Sequence, residues 1–153
     1  MDSSNVTPGL QEYLTSIYRL KKSGKKEIRI RDLAKERNVR LPSVTGAMKK
    51  LAKMNLVRYN RYGSVDLTED GERIAEVLDR IERDFYLFLV DFLGVPEEKA
   101  REEACRVEHG INMDTAKRLV ALMDYLSKCL PEEERRKIKE YIERRIEESQ
   151  CNS

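Results

Sequence analysis

At 153 residues, with 40% apolar and 38% charged side chains and a net charge of only +2, the chain suits one ordinary domain or two small ones and is too rich in periodic apolar residues to be disordered. No apolar run approaches a membrane span, and the polar start Met1-Asp2-Ser3-Ser4-Asn5 lacks a signal-peptide core, so a cytoplasmic protein with no membrane contact is expected. Cys105, Cys129 and Cys151 are a poor disulfide framework and include no C-x-x-C pair.

The charge is unevenly placed. Residues 1–74 hold sixteen Lys and Arg against nine Asp and Glu, whereas residues 75–153 hold fourteen against nineteen. Between Arg19 and Arg61 fifteen cations face only Glu27, Asp32 and Glu36. That is the footprint of a surface that meets phosphates, although an ordinary solvated face also carries charge runs.

Thr7-Pro8 supplies an N-cap and a first helical position. Leu10, Tyr13, Leu14, Ile17, Tyr18 and Leu20 follow at helical spacing and predict an amphipathic helix over about 8–22, with Glu12 and Thr15 on its other side. Glu27–Ile30 reads as a short strand leading into a two-turn helix, Arg31–Arg37. Asn38-Val39-Arg40 turns the chain, and Pro42 opens a helix that carries Val44, Met48 and Leu51 inward and ends near Met54-Asn55.

Two short helices joined by a tight turn form a helix-turn-helix signature, and its second helix is the reader. Arg40 and Pro42 stand at the start of that helix, and Ser43, Thr45, Gly46, Lys49 and Lys50 are its candidates for the major groove and flanking phosphates. Gly46 costs a helix roughly 1 kcal/mol relative to Ala. Close approach to DNA and tight helix packing each account for it. Residues 56–67 read as two strands around a Gly-containing turn, a wing whose Arg58, Asn60, Arg61 and Tyr62 reach sugar and phosphate, or else an ordinary exposed hairpin.

Thr68 caps a long helix with Glu69, Asp70 and Glu72 in its first turn. Its apolar positions run from Ile74 through Val77, Leu78, Ile81, Phe85, Phe88 and Leu89 to Phe92. Around Phe85–Val90 it is apolar on nearly all sides, which calls for more cover than one small chain supplies and predicts a homodimer. The next helix, opened by Pro96, places Cys105, Glu108 and His109 at i, i+3 and i+4 on one face. Thiol, carboxylate and imidazole side by side make half of a metal site; the competing reading packs Cys105 in a core and leaves Glu108 solvated. A further helix over about Thr115–Leu130 presents Ala116, Leu119, Val120, Leu122, Met123 and Leu126, and Pro131 starts a last, highly charged one.

Glu12-Tyr13-Leu14-x-x-Ile17-Tyr18, Pro42-Ser43-Val44-Thr45, Leu67-Thr68-x-x-Gly71 and Glu103-Ala104-Cys105-Arg106-Val107-Glu108-His109 together resemble the DtxR/MntR family of metal-dependent transcriptional repressors. The resemblance covers nearly the whole chain. It implies a mainly α protein: a winged helix-turn-helix over 1–73, then an α-helical metal-binding and dimerisation domain over 74–153. This is the two-domain form, because the chain is too short for the SH3-like third domain of some members. It further implies a dimer that binds double-stranded operator DNA when loaded with Fe(II) or Mn(II) and represses metal-uptake genes.

Carried over residue by residue, the resemblance gives Cys105, Glu108 and His109, with Glu12, as metal ligands. Glu12 stands where iron-type members have Met and manganese-type members Asp, whereas Cys105 is the iron-type choice, so the set is a hybrid. The second metal position of the family is poorly matched. Glu82 or Arg83 replaces its long-helix His, Arg101 replaces another, and Thr15 replaces a manganese-type Glu, which leaves Glu82 as the candidate there. Ligand chemistry alone suits a transition metal but does not choose among Mn, Fe, Co, Ni and Zn. The alternative function is a constitutive winged-helix DNA binder without metal. A hydrolase is disfavoured by the single histidine, His109, and the lack of a nucleophile elbow.

Overall fold

A computed structural model of the chain describes residues 6–60, 63–110 and 113–150, with the side chains of 108–110, 113 and 150 outside the described set. The chain divides into two units, Met1–Asp79 and Arg80–Ser153.

In the first unit, α1 (Pro8–Lys22) begins on Pro8, whose fixed φ suits a first helical turn, while the Thr7 side chain makes no cap bond. Tyr13, Leu14 and Ile17 are buried, as their spacing requires. Thr15 does not lie on the outer side: it is 3% exposed, and its hydroxyl donates to the Gln11 carbonyl at 3.0 Å. That bond satisfies the polar atom within the helix, so the residue is buried without an orphaned group.

Strand β1 (Ile28–Arg29) runs directly into α2 (Ile30–Glu36). The Arg29 amide donates to the Asp32 carboxylate at 2.8 Å, satisfying one of the orphan donors of the helix start. Asn38, at φ +51°, makes the turn into α3 (Leu41–Lys53), which has Pro42 in its first turn. Val44, Met48 and Leu51 are fully buried there, and Ala47 joins them.

The wing strands are β2 (Val57–Tyr59) and β3 (Ser64–Leu67). The sheet has three strands in the order β1-β3-β2, both pairs antiparallel. Ile28 lies opposite Val65 and Val57 opposite Leu67, and all four are buried. This register turns one face of the sheet into the same core as Leu14, Ile17, Leu33 and Met48.

The step out of the wing is fixed by backbone. The Thr68 amide donates to the Leu56 carbonyl at 3.1 Å. The Thr68 hydroxyl donates to the Asn55 carbonyl at 2.8 Å and accepts the Gly71 amide at 3.1 Å, the N-cap bond expected of it. A Cβ on Gly71 would come within 1.9 Å of the Leu56 carbonyl oxygen. Only glycine fits there. Helix α4 (Glu69–Asp91) starts at this point.

The second unit holds the remainder of α4 with α5 (Glu97–Gly110), α6 (Met113–Lys128) and α7 (Glu132–Gln150). Ile81, Leu89, Phe92, Ala100, Ala104, Ala116 and Met123 are buried, and the Phe88 and Phe92 rings stack at 5.7 Å. Leu122 departs from the apolar face assigned to it, at 52% exposed. None of the described side chains of α7 is buried. Among the described residues no helix is long and apolar enough to cross a membrane.

Candidate functional site

Helix α3 separates its residues cleanly. Val44, Ala47, Met48 and Leu51 face inward, whereas Pro42, Ser43, Gly46, Lys49, Lys50 and Lys53 are exposed and Thr45 is half-exposed. A Cβ at Gly46 would meet nothing within 4 Å. Tight helix packing therefore does not explain this glycine, and the helix carries its cost on an open face. The Thr45 hydroxyl donates to the Leu41 carbonyl at 3.0 Å, leaving its methyl and oxygen lone pairs for an outside partner.

The cations counted in the sequence fall into two groups. Lys21 pairs with Asp66 and Glu72 at 3.3 and 3.4 Å, Lys22 with Asp79, Lys25 with Asp32, and Arg29 with Glu27. Arg58 pairs with Asp66 at 2.8 Å and also donates to the Leu67 carbonyl. Among the described residues, exposed Lys26, Arg31, Lys35, Arg40, Lys49, Lys50 and Lys53 have no carboxylate within salt-bridge distance. Four of these seven cations, Arg40, Lys49, Lys50 and Lys53, stand on α3 and at its N-cap. Lys53 was not singled out from the sequence, although its spacing from Lys49 and Lys50 puts it on their side of the helix.

Residues of the wing are more committed. The Asn60 side chain closes the turn, donating to the Ser64 hydroxyl and accepting the Ser64 amide at 3.2 Å. These bonds engage in the turn the side chain expected to reach sugar or phosphate, and Gly63 completes that turn at φ +77°. Partial burial pushes the Asp66 carboxyl up, but hydrogen bonds from Arg58 and Lys21 outweigh it and hold the group below the usual carboxylate range. Arg61 and Tyr62 lie outside the described residues.

Glu12 is half-buried on α1, and its carboxylate is paired with the Arg37 guanidinium. Arg37 caps the C-terminus of α2 and stacks over the Tyr13 ring, 4.7 Å from its centroid. On α5 the backbone is helical from Glu97 through Gly110, so Cys105, Glu108 and His109 keep the one-face spacing read from the sequence. Ala100 and Ala104 are buried and Cys105 is exposed, which removes the reading of Cys105 as a core residue. The side chains of Glu108 and His109 lie outside the described residues. A thiol at exposed Cys105, followed in the sequence at i+3 and i+4 by a carboxylate and an imidazole, is a donor set whose chemistry fits a transition metal.

Glu82 is half-buried on α4. Arg101 stacks over the Tyr86 ring at 5.8 Å, and a guanidinium has no lone pair to offer a metal.

The family model described as "Iron dependent repressor, N-terminal DNA binding domain" matches residues 5–65, and "Iron dependent repressor, metal binding and dimerisation domain" matches residues 68–144. The chain belongs to the iron-dependent repressor family. It carries both domains of that family of metal-dependent transcriptional repressors. An uncharacterised HTH-type transcriptional regulator of Methanocaldococcus jannaschii is 35% identical over 78% of this chain and 95% of its own. The iron-dependent repressor IdeR of Mycobacterium bovis is 32% identical over 73% of this chain and 48% of its own. Among solved structures, a manganese-dependent transcriptional repressor in complex with manganese matches at TM-score 0.65 and 30% identity, over 75% of this chain and 50% of that one. ScaR with bound Zn2+ matches at TM-score 0.64 and 33% identity, over 76% and 54%. The chain thus spans about half the length of IdeR and of these two structures, and nearly all of the archaeal regulator.

Proposed function

We propose that this protein is a metal-dependent transcriptional repressor that binds double-stranded operator DNA as a homodimer and controls metal uptake, and that it is a cytoplasmic protein rather than an enzyme. The observation that carries the DNA half is the exposed row on α3: Ser43, Gly46, Lys49, Lys50 and Lys53, opposite a fully buried Val44, Met48 and Leu51. In this reading Ser43, Thr45 and Gly46 approach base edges, Arg40, Lys49, Lys50 and Lys53 hold the flanking phosphates, and Pro42 packs its ring against the DNA backbone without a hydrogen bond. Arg58 and Arg61 add wing contacts that fix register. Residues 1–73 form the reading domain and 74–153 the metal-binding and dimerisation domain.

Cys105, Glu108 and His109 hold the metal together with Glu12, with Glu82 the candidate for a second position. Fe(II) or Mn(II) is the preferred ion, in line with the iron and manganese named for relatives, and Zn, Co or Ni is compatible with the same donors. The bound cation supplies positive charge that three kinds of donor share. Since Glu12 belongs to the reading domain and the other three to its neighbour, these residues make metal and DNA affinities reciprocal.

Selection of duplexes from a random pool, with and without Fe(II) or Mn(II) under anaerobic conditions, tests this reading. A palindromic sequence enriched only with metal, and lost in His109→Ala, is the expected result. Equal enrichment without metal and in His109→Ala would establish the constitutive reading instead.

A further inference from the structure

The Glu12 carboxylate already has a cation. We propose that Arg37 is its resident counter-ion in the metal-free protein and competes with the metal for this one carboxylate, an inference that rests on Glu12 being a ligand.

Arg37 is gripped on two sides, by the carboxylate of Glu12 and by the face of the adjacent Tyr13 ring. Its side chain is 22% exposed and that of Glu12 32%, so the pair is only partly screened by water. A cation over an aromatic face and a guanidinium on a carboxylate are each favourable, and together they fix Arg37 against α1. Glu12 therefore does not wait as an unneutralised anion. In this proposal coordination displaces the guanidinium from the carboxylate, and the strength of that pair is subtracted from the affinity of the site.

The position of Arg37 gives the competition a direction. It is the C-cap of α2, and the next residue, Asn38, makes the positive-φ turn into α3. The pair therefore ties the first helix to the corner of the helix-turn-helix. When Glu12 exchanges partners, the charge released is a cation at that corner, beside the first turn of the reading helix. Arg37 is in this sense a positioning residue whose hold on Glu12 sets the metal threshold.

The test is a Co(II) titration of the whole chain under anaerobic reducing conditions, read by absorbance, which reports binding independently of DNA. Arg37→Gln should tighten Co(II) binding by roughly threefold, the scale of a partly exposed ion pair. Arg37→Lys should fall between it and the parent. In a Glu12→Gln background, Arg37→Gln should change nothing, because the contested carboxylate is gone. Thermal unfolding of each variant accompanies the titration, and Arg37→Lys supplies the answer if Arg37→Gln does not fold. Unchanged or weakened Co(II) affinity in folded Arg37 variants, with Glu12→Gln still weakening it, overturns the competition alone. If Glu12→Gln leaves Co(II) affinity untouched, Glu12 is not a ligand, and the assignment beneath this inference falls with it.

Discussion

The two units use their apolar residues differently. In Met1–Asp79 every helix and strand up to β3 sends at least one side chain into the interior, and Leu14, Ile17, Leu33, Val44, Met48 and Leu51 are fully buried. In Arg80–Ser153 the interior draws on small residues such as Ala100, Ala104 and Ala116, while Leu122, Tyr125, Tyr141 and Ile146 are about half exposed. The first unit buries one whole face of α3, the helix proposed above to read DNA. The second has apolar surface left over on α6 and α7, which suits the dimer proposed above.

The sharpest way to break this comparison is to remove volume from each unit. Met48→Ala deletes a fully buried side chain and should cost about 2–5 kcal/mol, measured by denaturant unfolding. Leu122→Ser should change the stability of the monomer by no more than about 0.5 kcal/mol, yet shift sedimentation at micromolar concentration toward monomer. A loss at Leu122 as large as at Met48, with no change in assembly, would make the second unit a self-contained core like the first.

Within the first unit the contrast lies between cations that have partners and cations that do not. Lys49→Ala combined with Lys50→Ala should lower the slope of log affinity against log salt by roughly 2, since each phosphate contact contributes about 0.9. Arg58→Ala should change it less, because Arg58 is shared with Asp66. Equal effects would place the wing on the phosphates as firmly as the reading helix.

The smallest effect concerns pH. Hydrogen bonds from Arg58 and Lys21 hold Asp66 below the usual carboxylate range despite its partial burial, so its contribution is present above pH ~4 and is lost as pH falls through its folded value. Asp66→Asn should flatten that part of an acid-unfolding profile and leave neutral-pH stability nearly unchanged, as suits an exposed pair. A steep loss at neutral pH would mean that the wing depends on this carboxylate.

Much of the architecture was legible in the residues because it is local. Pro8 and the apolar spacing place α1 at its observed limits, Thr68 caps α4, and the Val44, Met48 and Leu51 stripe is buried. What was not legible depends on residues distant in sequence. Ile28 pairs with Val65 across 37 positions, and that pairing adds a third strand to the expected two-stranded wing. Lys21 meets Asp66, and Arg37 meets Glu12, only once helices are packed. Periodicity also misplaced Thr15, since a hydroxyl bonded back to the Gln11 carbonyl is tolerated inside. Of the proposed ligand set, the α5 spacing followed from a helix alone, whereas the exposure of Cys105 did not, because spacing left a core position open to it and only the folded chain gives the buried side to Ala100 and Ala104.

Gly71 carries a consequence for how this sequence can change. Most buried positions tolerate exchange by compensation, one side chain shrinking as its neighbour grows. The Leu56 carbonyl oxygen, 1.9 Å from where a Cβ would stand, belongs to the main chain and is common to every residue type that position 56 accepts. No second substitution nearby makes room. Drift at this seam between wing and helix is therefore closed off one position at a time, whereas Gly46, with open space around it, meets no such block from the protein, and in the DNA-binding reading proposed above it answers only to a partner outside the chain.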